Sequence, residues 1–220
     1  MNTEIRLLAI KTLQRGLSDP ETAISVIDSH FILQILHCVP FPDTRVFLAA
    51  QAMLTESARF QQYLNVLFRE QVLHDFKTLT ATTDSVVRLR ITDTLLSMAN
   101  TSISCFNKIK QAHLLDILTK ELNTKDPLER LNAIESLTKL IESQHGFNHF
   151  QESGLSDILC KELRGESDDL VMQMMTRPAI MKLFGRIGQV HCIVHMPCSI
   201  YLFSELTSLI QSDDRAIIVN

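Results

Sequence analysis

The stretch "HCIVHMPC" holds the residues whose types and spacing most resemble a chemical site: His191, Cys192, His195 and Cys198. Two-residue gaps separate Cys192, His195 and Cys198, which could set thiolates and an imidazole around zinc on a turn. A structural zinc wants a fourth ligand in tetrahedral geometry, and His191 sits directly beside Cys192. The plainer reading is a helix start with buried thiols and surface imidazoles, because free cysteine mostly behaves as a small core hydrophobe. That reading is preferred, so neither a metal nor another cofactor is expected.

A cysteine nucleophile needs a base nearby and a group to orient it. Cys160 occupies a position where a sister segment has Thr119, an exchange that points to packing. "GRIG" at Gly185–Gly188 has the outline of a nucleic-acid-clamping GxxG loop, but it falls where a helix is expected to end. No glycine-rich phosphate loop, HExxH or GxSxG occurs. An enzyme is therefore not expected. A different constellation runs through the charged and polar residues Glu56, Arg88, Arg90, Asp93, Ser97, Arg130, Glu135, Lys139 and Arg186. On the long helices of a solenoid they would line an inner face and meet a protein partner through mixed charge. Ordinary solvated helix surface would look similar. "MQMM" at Met172–Met175 could be an adaptable binding patch, though core filling is the simpler role.

The elements that must carry these residues are legible from self-similarity. "DILTKEL" at Asp116–Leu122 returns 41 positions later as "DILCKEL" at Asp157–Leu163, with six of seven residues the same. Asp84, Asp126 and Asp168 are each 42 residues apart, and Asp43 lies 41 before Asp84. Val86, Leu128 and Leu170 follow in one column. Leu114, Leu115, Leu118 and Leu122 form one helical stripe. Asp126 then suits an N-cap, and Pro127 suits the first helical position, where a missing N–H costs nothing. Leu131, Ile134, Leu137 and Ile141 mark a long helix after it, and Gly146 suits a left-handed helix stop. A short third helix fits Phe147–Glu152 before Gly154.

Each unit thus reads as a short, a medium and a long helix in about 42 residues, the armadillo/HEAT class. Residues 1–220 are expected to form one all-α solenoid, with approximate units 1–57, 58–100, 101–143, 144–188 and 189–220. No unit can bury its stripe alone, so neighbours must stack. Asp19-Pro20 resembles another turn and cap, only 24 residues before Asp43. "QSDDRAIIV" resembles the start of a further long helix. Neither end reads as a polar cap, which predicts a portion of a longer array with self-associating ends.

Composition agrees. Hydrophobic residues make up 45% of 220, with 6 Gly, 6 Pro and no Trp, which favours helices over a turn-rich β fold. The net charge of −4 gives no basic excess to recruit nucleic acid or an anionic membrane. Five cysteines, odd in number and irregular in spacing, fit a reducing compartment. No signal peptide or bilayer-spanning stretch is read, so a cytoplasmic location is expected, with the nucleus also open.

"HLLDILTKELNTKDPLERLNAIESLTKLI" and "GLSDILCKELRGESDD" resemble armadillo units. Peptide-carrying armadillo proteins grip extended peptides with a Trp/Asn ladder. The matching columns here hold Ala52, Asp93 and Glu135, and Glu56, Ser97, Lys139 and Arg186. "VVRLRITDTLL", "HGFNHFQESGLSDIL" and "RPAIMKLFGRIG", in that order with the first of these phrases, resemble the middle of the proteasome non-ATPase regulatory subunit 5 family. The match is best from Asp84 to Gly188, and "QRGLSDPE" is similar too. The resemblance implies a solenoid chaperone for assembly of the proteasome regulatory particle base. Its implied partner is an AAA ATPase subunit, and it implies no catalytic residue. The alternative is an armadillo-type adaptor for an extended peptide or another protein.

Overall fold

Aspartates begin the long helices because the first amides of a helix have no partner within it, and a side-chain oxygen can accept from them. The protein is seen in a computed structural model that describes residues 3–17, 22–23, 26–27, 29–164 and 170–190. Asp84 accepts from the Val86 and Val87 amides at 2.9 and 3.1 Å. Asp126 accepts from Leu128 and Glu129 at 2.8 and 3.2 Å. Asp43 accepts from Arg45 at 2.8 Å. Serines cap the helices between them, again in register: Ser102 accepts from the Cys105 amide and Ser143 from that of Gly146, both at 3.2 Å. Asp168, Asp19-Pro20, the 191–198 His/Cys stretch and the expected final helix lie outside the described residues.

Among the described residues the chain forms twelve α-helices and no strand. They are α1 (Thr3–Gly16), α2 (Ser29–Leu36), α3 (Thr44–Ala58), α4 (Leu64–Leu67), α5 (Glu70–Thr80) and α6 (Ser85–Ala99). Then come α7 (Ile103–Gln111), α8 (Asp116–Leu122), α9 (Pro127–Leu140), α10 (Gln144–Glu152), α11 (Leu155–Leu163) and α12 (Leu170–Val190). From α4 onward they run in triplets that end on a long helix. The middle helix is not consistently longer than the first, since α8 has 7 residues and α7 has 9. The long helices α1, α3, α6, α9 and α12 lie side by side in that order. Behind them α2 packs on α5, and α7 on α10. This is the all-α armadillo/HEAT-like solenoid expected from the spacing.

The core is one continuous apolar spine from Ile10 to Ile187. Its columns follow the repeat. Ala50, Ile91 and Ala133 are fully buried, and so are Leu54, Leu95 and Leu137. Burying each leucine stabilises the stack by about 1.5–3 kcal/mol before entropy is counted. No helix among the described residues is long and apolar enough to cross a membrane.

Three local expectations need correction. Gly146 is not a left-handed stop. It sits in the first turn of α10, where a Cβ would come within 1.9 Å of the Leu140 carbonyl oxygen. The left-handed positions are Gly154 (φ 78°), just before α11, and His113 (φ 59°), just before α8. They are 41 residues apart, so one backbone turn recurs with different residues. "GRIG" lies inside α12, which continues to Val190. "MQMM" is not uniformly core: Met172 is buried, while Met174 is 78% exposed. Four successive residues cover more than one helical turn and cannot share one face.

Candidate partner-binding face

Arg88 and Arg130, four residues after successive cap aspartates, occupy equivalent places on α6 and α9. Each reaches into the following layer. Arg88 Nε donates to Glu121 Oε1 on α8 at 3.3 Å, and its guanidinium also donates to Glu129 on α9. A further bond to the Thr82 carbonyl measures 2.8 Å. Arg130 donates to Glu162 on α11, which also accepts from the Thr176 hydroxyl of α12. Glu121 and Glu162 are the same glutamate of the duplicated DILxKEL phrase. The Arg88 and Arg130 side chains are only 12% and 16% exposed. They clamp layers together and do not present themselves to a partner. Burial raises the Glu121 carboxyl above its ordinary value, with Arg88 opposing the rise.

Arg90, Asp93, Ser97, Glu135 and Lys139 lie along α6 and α9. All but Ser97 line a groove of about 560 Å³ crossing α3, α6 and α9. Arg90 donates to the carbonyls of Phe41 and Pro42, and its guanidinium lies 5.0 Å from the Phe47 ring centroid. Lys139 Nζ donates to Asp93 Oδ1 at 2.6 Å, and Gln51 of α3 donates to the other Asp93 oxygen. Ser97 donates to the Asp93 carbonyl at 2.8 Å. Gln51, Asp93 and Lys139 therefore form a polar ladder across three layers. Glu135 is exposed, at the border with a second cavity of about 490 Å³ between α9 and α12. Glu56 pairs at 3.2 Å with Arg59, the residue just past the end of α3, and Arg186 is exposed on α12. Neither lines these cavities.

Cys38, Cys105 and Cys160 are buried. Burial pushes the Cys105 thiol up to about 12, so a thiolate nucleophile is not available there. Among the described residues, no group of three or more His, Cys, Asp or Glu side chains could hold a metal ion.

His149 and His145 of α10 pack against Phe106 of α7, with ring centroids 5.7 and 4.8 Å away. Burial lowers the His149 pKa below its ordinary value. Lys110 adds to the shift, while Glu152 and Asp116 oppose it. Its Nδ1 is buried without a partner. The neutral ring is the one the fold accepts, so its contribution is present above the unfolded pKa, about 6.5, and is lost as pH falls through the lower folded value. Between pH 7 and 5 the thermal midpoint of the native chain should drop more steeply than that of His149→Gln. Parallel pH profiles would remove this role.

The profile of the proteasome non-ATPase 26S subunit family matches residues 1–218. The chain belongs to this family. As a member of the proteasome non-ATPase 26S subunit family, it is 26% identical over 185 residues to 26S proteasome non-ATPase regulatory subunit 5 of Mus musculus, across 84% of this chain and 36% of that one. With the Homo sapiens protein of the same name it shares 24% over 185 residues, with the same coverage. With that of Bos taurus it shares 24% over 188 residues, across 85% of this chain and 37% of that one. The chain thus spans about a third of the length of the curated relatives it matches. Two engineered proteins among solved structures are similar in shape. One has a TM-score of 0.48 and 15% identity, covering 96% of this chain and 82% of that one. The other has a TM-score of 0.46 and 19% identity, covering 86% and 80%.

Position on the long helices groups these charges but does not give their partners. Glu121, Glu129 and Glu162 take up Arg88 and Arg130. The signal was present: the DILxKEL glutamate and the arginine both recur with the repeat. Glu142, on the groove wall beyond the end of α9, carried no such mark.

Proposed function

We propose that this family member is a non-catalytic protein-binding scaffold that assists assembly of the proteasome regulatory particle base by docking an AAA ATPase subunit. The observation that carries the proposal is the family match over residues 1–218. The side-by-side long helices support it by offering an extended face. The chain would hold an assembly intermediate and block premature contacts by occupying the surface they need. Its work would lie in the cytoplasm, with the nucleus also open. The unit division reached from the sequence, continuing as a portion of a longer array, belongs to the same proposal. Tagged full chain is used as bait in cell lysate, and captured proteins are identified by mass spectrometry. Proteasomal ATPase subunits are expected in the eluate. Their absence, with other proteins captured reproducibly, overturns the assignment.

A further inference from the structure

Glu135 and Lys139 stand four residues apart on α9, the spacing and order at which glutamate and lysine pair along a helix. The fold does not form that pair. Lys139 crosses the groove to Asp93 on α6 at 2.6 Å. Arg90, the other cation lining the groove, is bonded to the Phe41 and Pro42 carbonyls and laid over Phe47. Both cations are therefore committed to the protein's own groups. The carboxylates are not balanced in the same way. Glu135 and Glu142 are exposed on the groove wall, and neither forms an ion pair among the described residues. Seven residues separate them in sequence, Glu135 on α9 and Glu142 two residues past its end. Lys182 faces the neighbouring cavity that Glu135 also borders, and no ion pair joins the two. Opposite the acidic wall stand Val86 and Leu89 of α6, with Val86 57% exposed.

We infer that this groove receives a segment of a protein partner that carries basic side chains beside apolar ones. Its cations meet Glu135 and Glu142, where the unmade internal pair leaves negative charge, and its apolar side chains cover Val86 and Leu89. The inference rests on the reading that the long-helix face docks a protein, and it names the chemistry of the part that enters. A charge-assisted bond in a partly desolvated groove is stronger than one in open water, so the carboxylates should decide selectivity.

The test uses the full chain and two fluorescein-labelled dodecapeptides, one a lysine–leucine–glycine repeat and the other with every lysine replaced by glutamate. Fluorescence anisotropy should show the basic peptide binding at least about tenfold more tightly than the acidic one. Glu135→Gln with Glu142→Gln should remove most of that difference. The charge-matched control Glu70→Gln with Asp157→Asn, away from the groove, should retain it. Thermal melts of both double variants check that each is folded. Equal binding of the two peptides, no binding of either, or equal losses in the two double variants overturns the inference. Failure here, with proteasomal ATPase subunits still captured from lysate, removes the groove assignment alone. Selective peptide binding without that capture removes the proteasomal role and leaves the groove.

Discussion

Replacing Arg130 by methionine should destabilise the chain by about 3–5 kcal/mol, because it strands Glu162 as a buried carboxylate. The Glu162 side chain is 1% exposed, and its other bond is the one from the Thr176 hydroxyl. An ion taken from water needs its counter-charge, and a hydroxyl dipole is a poor substitute. The double change Arg130→Met with Glu162→Leu should recover to within about 1 kcal/mol of the native chain, since an apolar pair of similar volume incurs no charge burial. Thr176 keeps its own bond to the Met172 carbonyl at 2.8 Å in that variant. Urea unfolding of the three proteins decides it. A single-variant loss under about 1 kcal/mol would mean that the clamp behaves like an exposed ion pair. Because stacked repeats unfold through neighbour interfaces, the loss should also broaden the transition.

Gly146→Ala should cost about 3 kcal/mol, although alanine in a helix is normally worth about 1 kcal/mol over glycine. The inversion has a single cause. The added Cβ would lie 1.9 Å from the Leu140 carbonyl oxygen and 2.9 Å from the capping Ser143 Oγ. Backbone must move to admit it, and that backbone joins α9 to α10. Gly185, also inside a helix, has nothing within 4 Å of its would-be Cβ. Gly185→Ala should therefore raise stability by about 0.5–1 kcal/mol. Thermal melts of the two variants should move in opposite directions. If both rise, the close approach at Leu140 is not a constraint in solution.

The two clamps and this glycine show how regularity in a solenoid is built. Arg88 and Arg130 repeat, Glu121 and Glu162 repeat, and the bonds between them cross from one unit to the next. A repeat in the sequence is then a repeat of interfaces, more than of separate helical triplets. The groove follows from the same stacking. Asp93 and Lys139 meet across two long helices because the layers bring them together, and that meeting leaves Glu135 and Glu142 unbalanced.

The helices and their order were legible in the sequence because they depend on local physics. An aspartate at a helix start accepts the same free amides wherever it occurs, and an apolar stripe at helical spacing must be buried by some neighbour. A period of about 42 residues leaves stacking as the way to bury it. Which side of each helix meets its neighbour was decided only in the tertiary structure. Val86, Leu128 and Leu170 recur with the regularity of core residues, yet are 57, 62 and 72% exposed. Arg88 and Arg90 lie two residues apart, and one is enclosed in a clamp while the other edges a groove. Sequence spacing sets the angle between two side chains on one helix, but the approach of the next layer determines which of them stays in water.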